Sequence, residues 1–251
     1  MNGFISFCVS IALLICFLYA GYALWDNQQL YVAAESVYEE MNQIRQSYKL
    51  DDLQAEDLSS QFQELQTINP DVTGWVTVFG TGIDHPLVQG SNNLTYINKN
   101  VYGEFDLAGS VYLDTRNDRG YSNTYNLVYG HNMSRHRMLS DINLYKDEDF
   151  FKQNQIGILL LPNHACLLNA ISFFLTTEGN STLFNPDNWL NSTNEQIMQY
   201  VQQDAMYISE TGLEALKNKL ENGEQPHLLA LSTCSSESDE ARTILLMLID
   251  L

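Results

Sequence analysis

The sequence predicts a mainly β domain with added helices, and three observations predict it. From residue 74 onward, eight short runs rich in Val, Ile, Leu, Phe and Tyr are each bounded by Gly, Asn, Asp or Pro. Between residues 28 and 68 there is no Gly or Pro, and apolar residues recur at helical spacing. A long gap, 178–226, separates the sixth run from the seventh and exceeds what a bare loop spans in a compact domain.

The elements follow in chain order. Phe4 to Leu24 is uncharged over 21 residues, about 30 Å of helix, which matches a bilayer core. Tyr19, Tyr22 and Trp25 gather at its far end, where amphipathic rings favour the interface. A cleaved signal peptide has a shorter apolar run behind a basic segment. Residues 1–25 are therefore read as a retained membrane anchor, single-pass; with no Lys or Arg before Arg45 to set orientation, an extracellular bulk is expected mainly from the function read below.

Residues 26–68 come next. Leu30, Ala33, Ala34, Val37, Met41, Ile44 and Tyr48, then Leu58, Phe62, Leu65 and Ile68, are spaced by threes and fours. They predict a helical stalk or two helices packed on the domain, broken near 50–52. Asn69-Pro70-Asp71 stops them. Residues 69–251 form the remaining domain. Its expected strands are 74–80, 84–89, 110–116, 125–132, 156–161, 166–177, 227–234 and 243–250, a number and density that argue a β-barrel or sandwich. The gap is expected to hold a helix over 187–206, N-capped by Asp187, and another over 212–220. Short helices are expected at 138–144 and 147–152.

Charge and cysteine count exclude some functions. Twelve Lys and Arg stand against 31 Asp and Glu, a formal net charge of −19. No basic footprint exists to displace counterions from phosphates, so nucleic acid is not a partner. Of the four cysteines, Cys8 and Cys16 lie in the apolar N-terminal run. Cys166 and Cys234 are too few for a disulfide framework, and no Cys-x-x-Cys or clustered His/Cys/Asp set argues for a metal. Cys166 reads as a packed thiol on a buried strand.

Cys234 sits differently. Leu229-Ala230-Leu231-Ser232-Thr233-Cys234 is an apolar strand ending in hydroxyls and a thiol, where a substrate can reach it. A thiol nucleophile needs a partner that keeps it as thiolate or moves its proton. Tyr129-Gly130-His131-Asn132 delivers a histidine at another strand end, suited to act as acid and base. His227 opens the strand that Cys234 closes, about 20 Å away. Arg242 follows Cys234 across a polar loop, and an antiparallel return brings it back beside the thiol. There its planar fork could hold an oxyanion or a substrate backbone. A turn histidine and a surface arginine are the ordinary alternatives for each residue taken singly.

With these residues on the page, the chain resembles the sortases, and class B most of all. The family's Thr-Leu-x-Thr-Cys stands here as Ala230-Leu231-Ser232-Thr233-Cys234, with Ala for the first Thr. Gly74-Trp75, Pro86 to Gly90, Gly109 to Asp114 and Arg116-Asn117 carry the likeness further, over roughly residues 69–250. The N-terminal helices and the helix-bearing insertion before the cysteine strand resemble class B as well.

The resemblance implies an eight-stranded β-barrel and a cysteine transpeptidase without cofactor or metal. Cys234, His131 and Arg242 would be catalytic, and Ser232 and Thr233 would contact substrate. The partners would be secreted proteins carrying a C-terminal sorting signal, cut through a thioacyl intermediate. The resolving amine would come from a peptidoglycan precursor in the cell wall, or from a pilin lysine. The rival reading is a non-catalytic, surface-anchored β-domain that binds a partner.

Overall fold

The computed structural model describes residues 2–46, 55–133, 137–234 and 241–250. Helix α1 (Asn2–Gln46) is continuous from the apolar segment into the amphipathic one. Its stretch Ile5–Asp26 has a mean hydropathy of 2.3, is long and apolar enough to cross a membrane, and buries nothing against the rest of the chain. The break expected near 50–52 lies outside the described residues. Helix α2 (Ala55–Ile68) follows. It sets Leu58, Phe62 and Leu65, spaced by four and three, against Trp75, Val88 and Leu160. This second helix is thus packed on the sheet.

The strands are β1 (Val72–Val78), β2 (Asp84–Val88), β3 (Val111–Leu113), β4 (Tyr125–Tyr129), β5 (Asn132–Met133), β6 (Arg137–Met138), β7 (Ile156–Leu161), β8 (His164–Thr177), β9 (Tyr207–Ile208), β10 (His227–Cys234) and β11 (Ala241–Asp250). The main sheet runs β11-β10-β4-β3-β2-β1-β7-β8, and β11 pairs with β8 to close it. The result is an eight-stranded barrel. The pairs β2–β3 and β4–β10 are parallel and the rest antiparallel. Short β9 adds to β8, and β5 pairs with β6 as a separate ribbon. Of the expected strands, 110–116 shrinks to three residues and 125–132 stops at Tyr129, while the one expected from 166 begins at His164.

Two cores share the barrel wall. Leu229, Leu231, Leu245, Met247 and Phe173 fill the interior. Leu228, Ala230, Ile244, Leu246 and Leu248, the alternate positions, face outward and are also buried. What covers them is the insertion, which holds α4 (Ser181–Phe184), a 3-10 turn at Pro186–Trp189, α5 (Asn194–Tyr200) and α6 (Glu210–Glu221). Trp189, Ile197, Val201, Leu216 and Leu220 supply its apolar side.

The single helix expected over 187–206 is corrected to a 3-10 turn capped by Asn185 and a separate helix capped by Thr193. Thr193 and Gln196 form a reciprocal capping box. That box satisfies amide groups a continuous helix would use internally, so the helix restarts there. The last helix begins before 212, at Glu210, because the Ser209 side chain accepts from the Gly212 amide. The segment expected at 138–144 is a 3-10 helix, Ser140–Lys146, and α3 (Glu148–Gln153) follows its Asp147 cap.

Trp189 carries much of the insertion's docking. It is 1% exposed, stacks on Tyr125 with ring centroids 4.3 Å apart, and donates its indole N–H to the Thr182 carbonyl. Trp189→Ala in the detergent-solubilised chain is expected to cost about 3–5 kcal/mol and to lower the Tm by about 10 °C. Thermal unfolding followed by circular dichroism checks this, and an unchanged Tm would remove Trp189 from the docking.

Candidate active site

The ladders around β10 decide which residues meet. Leu228 and Ala230 face the insertion, so Ser232 continues the same outward face, and the Cys234 backbone position is in strand phase with it. On β11, Arg242 continues the face of Ile244, Leu246 and Leu248. Cys234 and Arg242 are direct Cα partners in the antiparallel ladder, so the two positions share a face about 5 Å apart. On the other side, Tyr129 of β4 is in parallel register with Ser232. The Gly130 N–H prolongs that ladder by donating to the Ser232 carbonyl at 3.1 Å. His131 is the next residue. The three candidates thus stand at the ends of three adjacent strands, with Cys234 on the middle one. The Cys234 side chain lies outside the described residues, so its position here is that of its backbone.

Gly130 makes the step from the end of β4 to His131, where a side chain would have no room. A Cβ there would lie 2.6 Å from Leu139 Cγ.

Where the insertion stops short of the barrel end, a cavity of about 400 Å³ opens. His131, Arg242, Ser232 and Thr233 all line it. Ile97, Tyr112 and Tyr129 form further wall on the barrel side, and Glu178 and Phe184 on the side of the insertion. Thr233 alternates to the inward face, and its hydroxyl is buried without a hydrogen-bond partner.

His131 Nε2 lies 2.9 Å from the Ile97 carbonyl. A carbonyl only accepts, so Nε2 carries the hydrogen, and Nδ1 is the nitrogen left to exchange a proton. The other histidines are placed elsewhere. His85 is buried with Nε2 against the Met138 carbonyl, and burial lowers its pKa to about 4. His227 bonds the Asn123 carbonyl at the far end of β10. His164 begins β8, and His136 lies outside the described residues. Cys166 is buried in the barrel interior, where burial pushes its thiol up to about 11. It is a packing thiol, as expected.

Arg242 is held from two directions. One guanidinium nitrogen donates to its neighbour Ala241 O at 3.0 Å, the other to Glu178 Oε2 at 2.6 Å. Glu178 directly follows β8, whose Thr176 pairs with Arg242. Nothing in the local sequence marked Glu178, because its role comes from a side-chain hydrogen bond between residues 64 apart. Ile97 was equally hidden, since it acts through its backbone. Tyr112 and Tyr129 lay inside the motifs already noted.

A closed mixed barrel with a thiol-bearing strand between a histidine strand and an arginine strand defines a class of protein, the sortase-type cysteine transpeptidases. No protein-family model matches the chain. A solved class B sortase of Streptococcus pyogenes, involved in pilus biogenesis, is 33% identical with a TM-score of 0.66; the match covers 76% of this chain and 98% of that one. Sortase B of Listeria monocytogenes is 27% identical over 186 residues, 73% of this chain and 70% of the relative. Sortase B of Staphylococcus aureus is 25% identical over 234 residues, 92% and 90%. The chain belongs to the class B sortases, and it is an enzyme, a cysteine transpeptidase. The non-catalytic reading is set aside on that ground.

Two outcomes are expected from long-range proton–nitrogen NMR of imidazole-labelled chain. Neutral His131 is expected as the Nε2–H tautomer, and an Nδ1–H pattern would contradict the bond to Ile97. His85 is expected to stay neutral until the pH approaches about 4. Its folded pKa lies below the unfolded value of 6.5. The stability that neutral His85 contributes is therefore complete above pH 6.5 and is lost as the pH falls through about 4. A His85 that titrates near pH 6.5 would contradict its burial.

Proposed function

We propose that this enzyme cuts a sorting signal near the C-terminus of a secreted protein, with Cys234 as nucleophile, His131 as acid and base, and Arg242 as the anion holder. The observation that carries the reading is the register. Cys234 is the ladder partner of Arg242 and ends level with the turn that bears His131.

The Cys234 thiolate attacks the scissile carbonyl carbon, and the carbonyl's π pair moves to oxygen. The Arg242 guanidinium meets that oxyanion. Collapse expels the amine, which takes a proton from the imidazolium of His131. A thioacyl bond remains. An acceptor amine then attacks it, gives its proton to His131 and releases the thiolate, which restores the starting pair. Ser232 and Thr233, both on the cavity wall, would contact the peptide.

The acceptor is an amine of a peptidoglycan precursor, which joins the client to the cell wall. A pilin lysine is the second reading, favoured by the pilus role of the S. pyogenes relative. Residues 1–25 anchor the enzyme in the cell membrane as a single pass, 26–68 lead to the barrel, and the catalytic domain, 69–251, stands outside. The apolar, unburied Ile5–Asp26 helix supports this arrangement.

Intact mass spectrometry of the detergent-solubilised chain with a library of C-terminal sorting peptides tests the reading. A thioacyl adduct is expected on wild type and none on Cys234→Ala. Added peptidoglycan-stem amine or lysyl peptide should resolve it, and the better of the two names the acceptor. Arg242→Lys is expected to lower kcat about 10²-fold, since one ammonium cannot reproduce a planar fork. His131→Ala should stay folded and lose transfer. Wild-type rates in either variant would remove that residue from the mechanism.

A further inference from the structure

One ion pair with a buried carboxylate ties together walls of the cavity that belong to different parts of the chain. Asp114, just past β3, is fully buried. It takes a two-pronged contact from Arg116, Nε to Oδ1 at 2.9 Å and Nη2 to Oδ2 at 2.6 Å. Asn93 Nδ2 adds a third side-chain bond at 2.9 Å, and the Tyr129 hydroxyl a fourth at 3.1 Å. The same guanidinium reaches the insertion. It donates to the Phe184 carbonyl at 3.0 Å and to Asn185 Oδ1 at 2.8 Å. Tyr129 and Phe184 both line the cavity, and Asn185 caps the turn that carries Trp189.

Burial alone would raise the Asp114 carboxyl, but the donors of Arg116 and Tyr129 outweigh it and hold it below the usual carboxylate range. The carboxylate is therefore charged whenever the enzyme works, and its geometry is directional. Neither Asp114 nor Arg116 lines the cavity, so they act on substrate only through the walls they hold.

We propose that Asp114 and Arg116 are positioning residues that hold Tyr129 on the barrel side and Phe184 on the insertion side at the spacing the sorting peptide needs. Substrate affinity and selectivity then depend on this pair, while the reaction at the strand ends does not. The proposal rests on the sorting-signal reading for its substrate, and on the hydrogen bonds alone for the anchoring of the insertion.

The test uses the full chain in detergent micelles. Arg116→Lys keeps a cation beside the buried carboxylate but loses the fork that spans to Phe184 and Asn185. Asn93→Ala removes another side-chain donor to Asp114 and lies outside the cavity lining. Steady-state kinetics use the library peptide that wild type turns over best, together with the rate of Cys234 alkylation by iodoacetamide. Each variant is expected to raise KM about tenfold, with kcat and alkylation within about twofold of wild type. Arg116→Lys should also speed amide hydrogen exchange across residues 181–190. An unchanged KM in either folded variant overturns the proposal, and so does a matching fall in kcat and alkylation. Should wild type turn over no peptide, the sorting-signal reading fails, and exchange still decides the anchoring: unaltered protection of 181–190 in Arg116→Lys sinks it. If Arg116→Lys does not fold, the KM of Asn93→Ala decides.

Discussion

Everything at the candidate site depends on β10 lying between a parallel neighbour and an antiparallel one. A parallel partner brings two strand C-termini to the same end, here β4 and β10. An antiparallel partner brings the start of the following strand back to that end, here β11. One strand flanked this way collects a residue from three chain segments at one rim without any long loop. Side-chain alternation then sorts them onto one face. A slip of one residue in either ladder would turn one of the three to the opposite face. The long apolar runs of β10 and β11 make such a slip costly, because both faces of both strands are buried.

That double burial also explains why there is a cavity. The outward face of β10 is covered by the insertion along Leu228 and Ala230, and beyond them Ser232 lines the cavity. The cavity is the step between insertion and barrel. Its depth is therefore set by how firmly the insertion's leading edge is held. Tyr125 works toward the same end as Arg116, stacking on Trp189 and donating its hydroxyl to the Leu183 carbonyl.

The strands were legible because their runs are apolar and end at turn residues, and the three candidate residues because each closes or opens such a run. Ala230, which departs from the family's threonine, is explained by its place. It is fully buried against the insertion, where a hydroxyl would need a partner of its own. Other parts were not legible for physical reasons. The apolar residues Trp189, Ile197 and Val201 gave one helical pattern, yet the capping signal of Thr193 and Gln196 within it won. Glu178 and Ile97 reach the site through tertiary pairing and a backbone carbonyl. Neither leaves a trace in the spacing of residue types.

The two arginine–carboxylate pairs near the cavity have opposite characters, and the difference follows from burial. Asp114 is inaccessible to water and has four side-chain donors. Removing Arg116 would strand a charge, so that pair is built to persist. Arg242 meets Glu178, whose side chain is 60% exposed. A pair of that kind contributes about 0.2–1 kcal/mol, because water competes for the carboxylate. In the proposed mechanism the charge of a substrate oxyanion would compete with Glu178 for the guanidinium. Glu178 therefore suits a holding role. In that mechanism it would steer the guanidinium while the site is empty and give way at small cost when an oxyanion develops on the substrate.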